Sequence, residues 1–307
     1  MSKTAFIFPG QGSQYAGMGK DFYDTYEEAK KVYQLAGRVS GLDMEALCFT
    51  GNDKLDITEY TQIAMLATEV AILKVLESKG VRADITAGLS LGEYGALAAA
   101  DVMDLEDLFH IIRKRGIFMQ EAYPEGGAMM AVLGLDSGRI EEICRQTEGI
   151  VTIANYNCPG QIVITGEENA VAEAAKALSD AGAKRCVPLK VSGPFHSQLL
   201  KGAGERLEKE LYGIRLRNPS IPYISNVDAL EVTEAAPVKT LLKDQVSSSV
   251  CWQQTVEKMI ADGVDTFIEI GPGKTLSGFM KKINRDVKCL NIDKLADLDK
   301  ALEELGC

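Results

Sequence analysis

Short apolar runs alternate with helix-length patterned stretches along the chain. The first run, "TAFIF", stops at Pro9 and Gly10 and gives way to the polar "QGSQ", which predicts a strand opening into a glycine loop. Residues 58–79 repeat apolar positions at helical spacing and predict a long amphipathic helix. Within it, "IAMLATEVAILKVL" is interrupted by Glu69 and Lys74, so it reads as a packed helix and not as a membrane span. "ADITAGLS" predicts a short strand leading into Ser90, and the alanine-rich "GEYGALAAA" a helix directly after it.

From about Glu125 to about Val191 the rhythm changes. "GAMMAVLGL", "IVTIANY", "GQIVITG" and "AKRCVPLKV" read as strands; "DSGRIEEICRQT" and "EENAVAEAAKALSDAG" read as helices. The order βαββαβ is that of a ferredoxin-like unit. A compact subdomain at 125–191 is therefore expected, inserted into a larger α/β unit made of 1–124 and 192–307. Near the end, "VDTFIEIGPGKTLSGFMKKI" predicts strand, glycine loop and helix. Its "GPGKT" is like the end of a phosphate-binding loop, but the leading glycine of that motif would fall on Ile268. Gly271 and Gly273 are instead expected to serve a tight turn.

Composition narrows the setting. The chain has 307 residues, 33 Lys+Arg against 44 Asp+Glu, and a net charge of −11, so neither nucleic acid nor an anionic membrane is an expected partner. Seven scattered cysteines with no C-x-x-C and no Cys/His cluster argue against a metal site and for a reducing compartment. The apolar run at the start is too short for a signal peptide, and a cytoplasmic monomer is expected.

The candidate chemistry centres on Ser90. Gly88 and Gly92 flank it as G-x-S-x-G between a predicted strand and a predicted helix, the setting of a nucleophile elbow; an ordinary serine N-cap is the plainer alternative. A serine hydroxyl needs a base, and the chain has two histidines. His110 lies in the helical "LEDLFHIIRKRG" and reads as a helix-packing residue. His196 lies on the Gly-Pro turn of "VSGPFHSQLL", where catalytic groups are commonly presented. No third, orienting group stands out; a carboxylate or a backbone carbonyl would serve. Arg115 could equally sit on a solvated helix face, Asn155 and Asn157 in a turn, and Met129 and Met130 in the core of the insert.

"FPGQGSQ", "GLSLGEYGAL", "RGIFMQEA", "NYNCPGQIVITG", "GPFHS" and "EIGPGKTL" occur in the order seen in malonyl-CoA:acyl carrier protein transacylases, and the chain resembles that family over essentially its whole length. The resemblance implies an α/β-hydrolase-like core carrying the ferredoxin-like insert. It implies Ser90 as nucleophile and His196 as base and acid, with a backbone carbonyl near Gln245–Ser248 orienting the imidazole. It further implies an oxyanion hole from the backbone N–H groups of Gln11 and Leu91, Arg115 as partner of the malonyl carboxylate, Gln245 lining the pocket, and the Asn157 loop beside the entrance. The partners implied are malonyl-CoA and acyl carrier protein; no cofactor is expected beyond coenzyme A as part of the substrate. Leu89 departs from the family, which commonly has histidine there, and Phe195 is like the bulky residue of malonyl-selective members. Hydrolysis through the same serine, or a non-catalytic acyl-CoA or carrier-binding module, are the alternatives. An acidic carrier would need a local basic surface, for which Lys190, Lys201, Lys281, Lys282 and Arg285 are candidates.

Overall fold

Two sheets organise the computed structural model, which describes residues 2–191 and 193–306. Among these residues the strands are β1 (Lys3–Phe8), β2 (Ile85–Gly88), β3 (Gly127–Leu133), β4 (Val151–Cys158), β5 (Gln161–Glu167), β6 (Arg185–Pro188), β7 (Tyr223–Ile224), β8 (Glu231–Val232), β9 (Val264–Ile270) and β10 (Lys288–Ile292). The large sheet runs β10–β9–β1–β2–β7–β8 and is parallel except for the β7–β8 pair. The chain is thus a mixed α/β protein with a mainly parallel sheet. The expected boundary at 192 and the last cysteine, Cys307, lie outside the described residues.

Strand β1 is central and buried on both faces, so its residues need no polar alternation. Phe6 and Phe8 enter one apolar cluster, while Ala5 and Ile7 enter the cluster on the opposite face with Trp252 and Phe267. The long helix forms at Thr58–Ser78, but it is not amphipathic: every residue from Thr61 to Leu73 is buried. The reason is packing, because helices Glu27–Ser40, Leu105–Ala122 and Gly92–Ala99 all lie against it. Glu69, read from the sequence as a polar interruption, is therefore fully buried, and burial pushes its carboxyl well above the usual carboxylate range.

The small sheet is antiparallel in the order β4–β5–β3–β6, with helices Ser137–Gln146 and Glu168–Asp180 packed on it. Ile162 and Ile164 face its own core, with Val132, Ile140 and Leu178, while Val163 between them faces the large core. An isolated parallel bridge ties β4 of the small sheet to the segment before helix Trp252–Ala261: Tyr156 donates its backbone N–H to Val250 O at 2.9 Å, and Val250 N–H donates to Ala154 O at 2.8 Å. The segment that follows Gln245 is thereby stitched to β4.

Parallel strands collect functional loops at their carboxyl ends, and the sheet does so here. The Gly10–Gln11 loop follows β1, Ser90 follows β2, and the Gly271–Thr275 turn follows β9. The turn after β2 is pressed onto the end of β1. A Cβ on Gly92 would lie 2.1 Å from Phe8 O, and one on Gly88 would lie 1.9 Å from the Gly92 carbonyl. Neither contact involves a side chain that can move aside, so both positions require glycine.

The two kinds of glycine should separate in chemical denaturation. Gly92→Ala is expected to lower stability by at least about 1–3 kcal/mol, the cost of overpacking. Gly278→Ala, in the exposed part of helix Thr275–Ile283 with nothing near its Cβ, is expected to raise stability by up to about 1 kcal/mol.

Candidate active site

Ser90 and His196 both hold left-handed backbone conformations, φ 54° and 60°, although neither is glycine. Such strain persists only where the surroundings enforce it. At Ser90 the enforcing group is Asn226, which follows β7. Its Oδ1 accepts from Ser90 N–H at 2.6 Å and its Nδ2 donates to Gly88 O at 2.7 Å, so one side chain clamps the turn from both sides.

The turn directs the Ser90 hydroxyl to His196, with Oγ 2.7 Å from Nε2. The other ring nitrogen, Nδ1, lies 2.9 Å from Gln245 O and 3.2 Å from Ser248 O. Two carbonyl acceptors require the N–H at Nδ1, which leaves a lone pair on Nε2 facing the serine. The orienting group is a pair of carbonyls and not a carboxylate. Burial and the charge of Arg115 bring the imidazole pKa down to about 4, against the upward pull of the carbonyls. The ring is neutral at pH 7 and able to accept a proton.

Arg115 comes from the middle of helix Leu105–Ala122 and is 1% exposed, so the solvated-face alternative does not hold. Its neighbours Arg113 and Lys114 are the ones that reach outward, to Glu59 and Glu210. Arg115 Nη2 donates to Ser90 Oγ at 3.1 Å and to Gln245 Oε1 at 3.0 Å, and Nη1 donates to Gln62 Oε1 at 2.8 Å. Tyr94 supports the guanidinium from beneath, 5.5 Å from ring centre to Cζ. Arg115 makes no ion pair among the described residues. Among the described residues it is the one charged side chain on a cavity of about 190 Å³ that also meets Ser90, His196, Gln11 and Leu91. Leu91 stands at the N-terminus of helix Gly92–Ala99, where the Gly92, Glu93 and Tyr94 amides donate to the Leu89, Ser90 and Leu91 carbonyls at 3.0, 3.1 and 3.0 Å.

Phe195, Asn157 and Leu89 also line the cavity, as does Met129, expected only in the insert core. Gln245 requires a correction. It was expected on the pocket wall, yet it stands behind Arg115, 1% exposed, with both ends of its amide occupied. His110, read as a helix-packing residue, lies between helices Leu105–Ala122 and Lys201–Tyr212. Its side chain is 42% exposed and meets Glu210 at 3.0 Å. The five basic residues suggested for carrier docking are all exposed, with Lys282 also bonded to Gln161 and Arg285 to the Lys281 carbonyl. No group of three His, Cys, Asp or Glu among the described residues could hold a metal ion, and no described helix is long and apolar enough to cross a membrane.

Sequence reasoning missed Asn226, Gln62 and Glu93. Glu93 left a trace, since it is the one charge in "GEYGALAAA"; it is fully buried, with burial raising its carboxyl pKa to about 7 against hydrogen bonds from Gln245 and Asn226 and the charge of Arg115. Asn226 left none, because it meets the elbow from 136 positions away.

Residues 5–294 match the family described as acyl transferase domain. The malonyl CoA-acyl carrier protein transacylase of Bacillus subtilis (strain 168) is 44% identical over 310 residues, 99% of this chain and 98% of that protein. The solved malonyl CoA-acyl carrier protein transacylase from Clostridium perfringens is 46% identical with a TM-score of 0.96, covering 99% of this chain and 98% of that one. A malonyl-transacylase solved in complex with a type II PKS acyl-carrier protein is 40% identical with a TM-score of 0.96, covering 99% and 100%.

The clamp can be tested without any substrate. Asn226→Ala would leave Ser90 N–H and Gly88 O without partners, and denaturation is expected to show a loss of about 1–3 kcal/mol.

Proposed function

The chain belongs to the acyl transferase family, among the malonyl CoA-acyl carrier protein transacylases, and from that premise we propose that it moves a malonyl group from coenzyme A to the phosphopantetheine thiol of acyl carrier protein. The observation that carries this reading is the position of Arg115: a buried cation with no carboxylate in contact, 3.1 Å from the hydroxyl of a serine poised for acylation. A thioester whose acyl group ends in a carboxylate satisfies both groups at once. An acetyl group would leave the guanidinium without an anion.

In the first half-reaction His196 Nε2 takes the Ser90 proton as Oγ adds to the thioester carbonyl. The oxyanion forms against the Gln11 and Leu91 N–H groups. Collapse expels the coenzyme A thiolate, which leaves with the proton from His196, and malonyl-Ser90 remains. In the second half-reaction the carrier's thiol gives its proton to His196 and attacks the ester, and Ser90 leaves with that proton. Protons and electron pairs balance within these residues, so the reaction calls for no metal or organic cofactor.

We read the small antiparallel unit as a ferredoxin-like subdomain at 125–191, inserted between two parts, 1–124 and 192–307, of an α/β-hydrolase-like core. On this reading the insert roofs the cavity, and its bridge to Val250 steadies the carbonyls that orient His196.

Intact mass after incubation with malonyl-CoA is expected to rise by one malonyl group, and Ser90→Ala is expected to show no adduct. Arg115→Leu should cut malonyl labelling by about 100-fold or more, the scale of a lost buried charge pair, and lower acetyl labelling far less, since the Ser90 and His196 contacts it disturbs serve both donors. Malonyl-CoA consumed with no adduct would turn the reading to hydrolysis; neither adduct nor turnover in folded protein would leave a binding module.

The pH dependence has a defined sign. A lowered imidazole pKa keeps the base neutral further into acid, so acylation at low malonyl-CoA should hold from about pH 8 to below about pH 6. The acid limb is expected near 4. A limb at about 6.5, the ordinary histidine value, would show that burial and Arg115 do not control the base.

A further inference from the structure

Among the described residues, the buried guanidinium of Arg115 is held by two neutral amides, Gln62 Oε1 and Gln245 Oε1. An amide accepts from a guanidinium in only one of its two orientations; flipped, Gln245 would set its NH₂ against the cation. The opposite end of Gln245 decides between them. Its Nε2 donates to Glu93 Oε2 at 2.6 Å and to Ser90 O at 3.0 Å. In its ionised form, which the hydrogen bonds from Gln245 and Asn226 and the charge of Arg115 favour, Glu93 only accepts, so it admits the Gln245 NH₂ and rejects its oxygen. Glu93 is itself held, since its Oε2 also accepts from Asn226 N–H at 3.2 Å, on the residue that clamps the elbow.

The spacing matters as much as the direction. A carboxylate in direct contact with Arg115 would compete with a substrate anion for the same N–H groups. Glu93 stands one amide away, near enough to offset a buried positive charge without contact, and Arg115 Nε remains without a partner.

We propose that Glu93 is a positioning residue for acyl-group choice: its carboxylate fixes the orientation of the Gln245 amide, and that amide holds Arg115 ready for the carboxylate of a diacid thioester. The inference rests on the malonyl-transfer reading and adds to it the group that aims the selector.

The test is labelling of the intact protein by malonyl-CoA and acetyl-CoA in competition, in wild type, Glu93→Gln and Glu93→Met. Glutamine offers an acceptor at the same reach and is expected to keep the malonyl-over-acetyl ratio within about 3-fold of wild type. Methionine fills the space without an acceptor and is expected to lower the ratio by about 10-fold or more, with malonyl KM rising more than kcat falls. Should Glu93→Met not fold, Glu93→Asp withdraws the carboxylate by one methylene and is expected to lower the ratio in the same direction. Equal loss of malonyl and acetyl labelling, or an unchanged ratio, would overturn the proposal. An equal drop in Glu93→Gln would assign the effect to charge and overturn the amide mechanism. If wild type takes up neither acyl group, the malonyl-transfer reading fails and this inference with it; if wild type is labelled and only the ratio stays still, this inference alone fails.

Discussion

A guanidinium taken out of water without a carboxylate in contact is the constraint that shapes this site. Burying such a charge is costly unless dipoles or a remote anion compensate it. Here Gln62 comes from the central helix, Gln245 from helix Val238–Gln245, and Tyr94 and Glu93 from the helix after the elbow. The same charge depresses the His196 pKa and donates to the Ser90 hydroxyl, so in the proposed reaction base strength, nucleophile and acyl recognition share one source. Moving Arg115 would disturb all three, which is why so many buried polar groups converge on it.

The histidine illustrates a second economy. Carbonyl dipoles at Nδ1 fix the tautomer and ring plane as a carboxylate would, but add no net negative charge to a cavity that, in the proposed reaction, receives an anion. Carbonyls can do this only if their own loop is immobile. The bridge between Val250 and β4, reinforced by the Ser249 hydroxyl on Ile153 O, supplies that rigidity from the small sheet. The small sheet is therefore tied, through the Gln245–Val250 segment, to the orientation of His196.

Much of the fold was legible because its signals are local. The strand before Ser90, the helix after it and the βαββαβ order each arise from residues within a few positions of one another. The G-x-S-x-G spacing was legible for the same reason: the steric demand at Gly88 and Gly92 arises where the elbow meets the end of β1, and only glycine meets it. The long helix was misread as amphipathic because residue pattern shows which positions tolerate burial, whereas the number of neighbours decides how many are buried. Local chemistry along the chain was sufficient for the elements and for the pairing of Ser90 with His196. Packing alone settled the rest: that Arg115 turns inward while Arg113 does not, that Gln245 stands behind it, and that Asn226 and Glu93 belong to the site. Those roles depend on distances between residues more than a hundred positions apart in several cases, and no spacing along a chain encodes them before it folds.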